Sequence, residues 1–169
     1  MIDQSTNLKE EILLLLRRSS FYYTKAPNIV EKISFNGRKF YSKYLLVQKN
    51  PDEELIKKYL NGNVKVAIPL KNGEVFIRFY GKEWRRFFYL LNKLLKEFQI
   101  ELFLFFMDEN KRLNIFFKTK EKEAEVVKYL SVKLEELMER EWKILPNETL
   151  PKNYNIFPLP SKEVFESQN

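Results

Sequence analysis

The sequence predicts an α+β domain with a split βαβ core, and three observations carry that reading. From Glu74 to about residue 159, stretches of two-residue alternation and of helical spacing follow in the order strand, helix, strand, strand, helix, strand. Turn signals with Asn-Gly pairs punctuate the strand-rich stretches at residues 36–37 and 72–73. With 44% hydrophobic residues among 169, including 15 Phe, 2 Trp and 9 Tyr, the chain can bury one substantial core and reads as a single domain over 1–169. Within it, residues 1–62 form an N-terminal extension with a helix and a β-hairpin, 63–160 the core, and 161–169 a tail.

The elements follow in order. Residues 7–18 place Leu8, Ile12, Leu15 and Leu16 on one side of a short amphipathic helix, with Asn7 at its N-cap. Phe21 to Val47 is aromatic and strand-rich, and SFNGRKFY around Asn36-Gly37 reads as a hairpin. Pro51-Asp52-Glu53-Glu54 opens a helix running to about Leu60, with carboxylates at its positive end, and Asn61-Gly62 stops it. VKVAIPL and EVFIRFY flank Lys71-Asn72-Gly73 as a hairpin, Pro69 placing the first strand at an edge or near its end. From Glu83 to Phe98, Trp84, Phe87, Phe88, Leu91, Leu94, Leu95 and Phe98 keep helical spacing, opposite a face of Arg85, Arg86, Tyr89, Lys93 and Lys96 that reads as solvated, with a nucleic-acid contact as the alternative. Ile100 to Phe106 is a strand covered on both faces, and Met107 to Lys111 turns it into RLNIFFK. Glu121 to Trp142 reads as one long helix with Ala124, Val127, Leu130, Leu134, Leu137 and Met138 inward, and Tyr154 to Leu159 as the last strand of the series.

In a split βαβ unit, the arrangement of RNA-recognition modules, the first and third strands lie mid-sheet with both helices on one face. Alternation then sorts the side chains. Val75, Ile77 and Phe79, with Leu113, Ile115 and Phe117, face the helices; Phe76, Arg78 and Tyr80, with Arg112, Asn114 and Phe116, face outward.

The segment WKILPNETLPKNYNIFPLP, Trp142 to Pro160, resembles a motif of the archaeo-eukaryotic primase superfamily in its mobile-element branch: an aromatic residue, an apolar pair, Pro-Asn, an acidic residue, Thr-Leu-Pro, a short polar turn, Asn, and an apolar strand ending in Leu-Pro-Leu. Pro146, Asn147, Glu148, Thr149, Leu150, Pro151, Asn155, Pro158 and Leu159 fall into that order. The likeness runs upstream through Trp84, Tyr80 and Leu60-Asn61-Gly62 to Asp52-Glu53-Glu54. The resemblance implies the same RRM-like core and an active site of two carboxylates on the first core strand, a His on the third, and a further acidic residue downstream, together holding two divalent metals. Aligned on it, the carboxylate positions carry Arg78 and Tyr80 and the His position Arg112, while Glu148 alone stays acidic. A guanidinium repels the cation such a site must hold. The resemblance therefore implies a primase fold without its chemistry, a non-enzyme with no metal and no cofactor.

Composition agrees. The chain has no Cys and no His, which removes disulfides, Cys/His metal centres and imidazole-based catalysis, and its four scattered Gly leave no phosphate loop. Ile12 to Leu16 is too short for a membrane span, so a cytoplasmic protein is expected. A net charge of +7 suits a polyanionic partner, or alternatively the Lys- and Glu-rich surface of a thermophile, as an archaeal source would supply. Relocated carboxylates for an active primase would come from Glu74, Glu101, Asp108 and Glu109, all near strand ends.

The expected function is a non-catalytic, nucleic-acid-binding accessory of DNA replication and primer synthesis. It would use Phe76, Arg78, Tyr80, Arg112, Asn114 and Phe116 on single-stranded or primer-template nucleic acid, the Arg residues on phosphate and the rings on bases. A catalytic primase or other replication protein is the expected partner. The rival is a viral or plasmid-borne protein-interaction module with the same face used for packing.

Overall fold

A computed structural model describes residues 7–100 and 102–167. In chain order the elements are α1 (Leu8–Arg17), β1 (Tyr22–Lys25), β2 (Glu31–Phe35), β3 (Arg38–Ser42), β4 (Tyr44–Val47), α2 (Glu53–Leu60), β5 (Val66–Pro69), β6 (Glu74–Phe79), α3 (Trp84–Glu97), β7 (Leu102–Met107), β8 (Leu113–Lys118), α4 (Glu123–Leu137), β9 (Trp142–Leu145), a 3-10 turn (Lys152–Tyr154), β10 (Ile156–Pro158) and α5 (Lys162–Glu166). The fold is α+β with antiparallel sheets. Where the sequence reads as one domain, the chain gathers into two compact units, residues 70–147 and residues 7–69 with 148–167.

In residues 70–147 the four strands lie in the order β7-β8-β6-β9. Period-two alternation puts Val75, Ile77 and Phe79 of β6 with Leu113, Ile115 and Phe117 of β8 in one core with Phe87, Phe88, Leu91 and Leu95 of α3, as expected from the spacing. Phe87 stacks on Phe79 with ring centroids 4.4 Å apart. The outward face of α3 is exposed at Arg85, Arg86, Tyr89, Lys93 and Lys96.

Two expectations fail here for identifiable reasons. The second helix ends at Leu137, well short of Trp142, and its inward row is Val126, Leu130 and Leu134, with Ala124 and Leu137 exposed. Met138 adopts extended geometry, and Trp142–Leu145 becomes the edge strand β9, with Trp142 and Ile144 buried in the helix-side core. Pro146 disfavours helix at the residue before it, which suits a strand ending at Leu145. With β9 beside β6, the last strand of this series is β9 and not Tyr154–Leu159.

The second unit holds the sheet β10-β5-β1-β4 and the hairpin β2-β3. That hairpin is the expected one, closed by Asn36 and Gly37, both with positive φ (48° and 72°), as a two-residue turn of this handedness demands. Asp52 caps α2 by accepting from the Leu55 N–H at 2.8 Å, whereas Asn7 makes no side-chain capping bond to α1. Leu8, Ile12, Leu15 and Leu16 of α1 are buried. The expected hairpin across Lys71-Asn72-Gly73 does not form: β5 pairs with β1 and β10, and β6 with β8 and β9. Gly73 is bound elsewhere, its N–H donating to Glu123 at 3.0 Å and its carbonyl accepting from the Thr119 N–H at 2.7 Å.

Candidate anion-binding site on the sheet

The face of the residue 70–147 sheet opposite its helices is built in rows by strand register. Leu104, Phe116, Phe76 and Leu145 form one row, paired β7 to β8, β8 to β6 and β6 to β9, and all four are buried. Two residues along each strand, Phe106, Asn114, Arg78 and Lys143 form the next. The facing side chains of such a row stand roughly 5 Å apart at Cβ. One row is hydrocarbon; the next brings a guanidinium and an ammonium side by side.

Arg78 donates from Nε to Asn114 Oδ1 at 2.8 Å and lies 5.4 Å from the Phe76 ring centroid. Asn114 donates from Nδ2 to Asp108 Oδ2 at 3.1 Å and to the Arg112 carbonyl at 3.0 Å. Asp108 also accepts from Arg112 Nε at 3.0 Å, and its other oxygen accepts from the backbone N–H groups of Asn110 and Arg112. Burial alone would raise the Asp108 pKa, but the Arg112 N–H, the Asn114 amide and the Arg112 charge outweigh it and hold the carboxyl below its usual range. The turn from Asp108 to Arg112 is thus a carboxylate-centred knot that fixes Arg112 and, through Asn114, Arg78.

Lys143 faces this cluster, and among the described residues no carboxylate pairs with it. Burial first, then the charges of Arg78 and Arg112, lower its pKa from 10.5 to about 8. Arg78, Arg112 and Lys143 thus bring three cationic side chains to one patch, with the Asp108 carboxylate bound to Arg112. Arg78, Arg112 and Lys143 are all partly exposed, so an incoming anion can reach them. The sequence reading ends its helix at Trp142 and gives no strand to the residues after it, so Lys143 is not among its site residues; the signal was Trp142-Lys143-Ile144-Leu145, a short strand-like run closed by Pro146.

The predicted site residues divide. Arg78 and Arg112 are brought together, and Asn114 positions both. Phe76 and Phe116 share the face, but at 0% exposure neither offers a ring to a base, and Asn114 is equally inaccessible. Alternation fixed their side of the sheet correctly and could not report their cover. Tyr80 lies beyond the end of β6, 48% exposed, its N–H donating to the Glu141 carbonyl at 2.7 Å. It lines a groove of about 600 Å³ with Phe79, Arg86, Met138 and Glu141, next to the core-side residue Phe79 instead of in the Arg78 row.

The acidic candidates do not assemble a metal centre. Asp108 is bound to Arg112 and Asn114, Glu74 is buried and accepts from the Lys71 N–H at 2.7 Å, and Glu109 and Glu148 are exposed. Glu101 lies outside the described residues. Among the described residues no group of three or more acidic side chains is placed to hold a metal ion, and no helix is long and apolar enough to cross a membrane.

Residues 8–75 match the model of DUF1882, a domain of unknown function. No curated protein matches the chain. The matched stretch ends at the start of β6, so the cationic row lies outside it except for its approach.

Proposed function

We propose that residues 70–147 bind the phosphate backbone of single-stranded or primer-template nucleic acid, in a non-catalytic, primase-like accessory protein working beside a catalytic replication partner. The observation that carries this reading is the row Asn114, Arg78, Lys143 with Arg112 nearby, which gathers three cationic side chains on one patch of the sheet. A phosphate fits guanidinium forks well and would relieve the repulsion that the Arg78 and Arg112 charges exert on Lys143. The strand order β7-β8-β6-β9 supports the RRM-like part of the reading, since it puts the first and third strands of the series in the middle with the helices on one side. Against metal-dependent primer synthesis stand Arg78 and Tyr80 at the positions where the primase superfamily places its carboxylates.

Fluorescence anisotropy with a labelled single-stranded oligonucleotide across a salt series tests it. Arg78→Gln and Lys143→Gln each weaken binding and reduce the slope of log affinity against log salt by about 0.7, one phosphate's worth on a single strand. Lys93→Gln on the exposed face of α3 leaves both unchanged. A parent protein that does not bind, or variants that bind like it, removes the proposal.

A second reading has its own observation. Ile29, Val30, Tyr41, Leu45 and Leu46 are exposed in the unit of residues 7–69 and 148–167, more apolar surface than a small solvated unit needs, which supports a protein-interaction module. Loss of oligonucleotide binding together with capture of a replication protein would favour it.

A further inference from the structure

Register sets Lys143 of β9 directly opposite Arg78 of β6, and the knot around Asp108 holds Arg112 on the same patch. The Lys143 ammonium thus stands against two like charges, on the face of the sheet away from the helices. Asp108, the carboxylate of the patch, is occupied by Arg112, Asn114 and the backbone N–H groups of Asn110 and Arg112. Strand β9 is the edge of its sheet, so no strand of that sheet lies beyond Lys143, and the residue is partly exposed. Its side chain is reachable from solvent while its charge is badly placed.

A lysine answers such a setting by giving up its proton more readily. Burial, then Arg78 and Arg112, bring the Lys143 pKa down to about 8. Roughly one amine in ten is therefore neutral at pH 7, against fewer than about one in a thousand for an ordinary lysine. A neutral amine with a free lone pair is a nucleophile. The product decides which electrophile suits it. Alkylation keeps the cation that the guanidiniums repel, and an amide only cancels it. A carbamate puts a carboxylate in its place, and a carboxylate is what a guanidinium fork binds with two parallel hydrogen bonds.

We propose that Lys143 captures carbon dioxide as a carbamate held by Arg78 and Arg112. The Nζ lone pair attacks the carbon of CO2, a C–N bond forms, and the electron pair of one C=O bond moves onto its oxygen. The nitrogen releases one proton to water, which leaves N-carboxylysine with one negative charge and no change of oxidation state. Repulsion of an ammonium by two guanidiniums becomes attraction between those guanidiniums and a carboxylate at the same place in the row. Carbon dioxide is small and uncharged, so a partly covered amine beside two cations admits it. Capture requires no nucleic acid and stands apart from the function proposed above.

The full-length chain is equilibrated near neutral pH with carbon-13-labelled bicarbonate and dissolved CO2. Carbamate is read by carbon-13 NMR, trapped as its ester with a trialkyloxonium salt, and located by peptide mass spectrometry. A carbamate resonance grows saturably with CO2, and the ester lies on Lys143 well above every other lysine. Lys143→Arg, which keeps the cation and removes the nucleophile, abolishes that resonance, while carbamate on the α-amino group persists. Arg78→Gln lowers the occupancy severalfold, and Lys93→Arg, on the exposed face of α3, leaves it unchanged. Mapping the ester on the unsubstituted chain decides the matter even where a variant proves unstable. The proposal is overturned if residue 143 carries no ester, if other lysines carry it equally, or if a folded Arg78→Gln protein holds as much carbamate as the parent.

Discussion

Residues 70–147 and the unit formed by residues 7–69 with 148–167 solve the burial problem differently. The first lays two long helices on strands of four to six residues and shuts one aromatic-rich core between them. The second works with strands of three to five residues, and it relies on tyrosines as ties: Tyr59 donates to the Pro160 carbonyl, and Tyr154 hydrogen-bonds to the backbone of Tyr41. It also leaves Leu45 and Leu46 of its edge strand exposed. A contiguous segment can bring its apolar positions together with short connections. A unit assembled from two distant segments must also close a long-range pairing, here β5 with β10.

The largest expected effect lies in the first unit. Phe88 is 2% exposed and packs edge to face on Phe105, so Phe88→Ala lowers stability by about 3 to 5 kcal/mol in urea denaturation. A loss under about 1 kcal/mol would mean that this core is not the dominant one.

A smaller effect of opposite sign tests the cationic row. The folded-state pKa of Lys143, about 8, lies below its ordinary 10.5. The unfolded chain therefore holds more protons between those values, so the contribution of Lys143 makes stability rise as pH climbs from 8 toward 10.5, and its cost is present in full below 8. Lys143→Met should stabilise the protein at pH 7 by about 1 to 3 kcal/mol and flatten that rise, while weakening oligonucleotide binding. Thermal melts from pH 7 to 10 and anisotropy titrations read the two halves. A variant that is less stable at pH 7 would show that Lys143 is paired and not repelled.

The smallest effect belongs to the second unit's edge. Leu45 is 51% exposed, and Leu45→Ala should shift stability by no more than about 0.5 kcal/mol. A drop several times larger would mean that a second chain covers this strand in solution, and dilution would then lower the melting temperature.

What the sequence revealed follows the same division. Strands β6 and β8 and helix α3 were legible because each alternates or repeats cleanly over six or more residues, and the core side of the sheet came with them. Strand β9 was not, since Leu134, Leu137 and Met138 keep helical spacing and no Gly or Pro intervenes before Pro146. Losing β9 hid Lys143, and so the sequence showed Arg78 and Arg112 as surface cations without the third charge that makes them a cluster. The knot around Asp108 was also illegible: an acidic residue in a turn is ordinary, and only the register brings Asn114 alongside Arg78. Strand β10 was misassigned because its partner β5 lies almost ninety residues away in sequence, a pairing that local pattern cannot specify.

The chain leaves one unit after Pro69 and resumes it at Glu148, and Pro69 is itself the register partner of Ile156. Within the intervening stretch, Phe76 is likewise the partner of Leu145, so the two ends of residues 70–147 run side by side. Residues 70–147 thus enter and leave their own sheet on adjacent strands, the arrangement that suits a segment to be inserted or exchanged as a piece. The remaining unit is written in two pieces of sequence, and the family match over residues 8–75 covers the first of them and runs on to the start of β6. A shortened chain that joins Pro69 to Glu148 by a short turn would keep the β5–β10 pairing of one unit and lose the other whole.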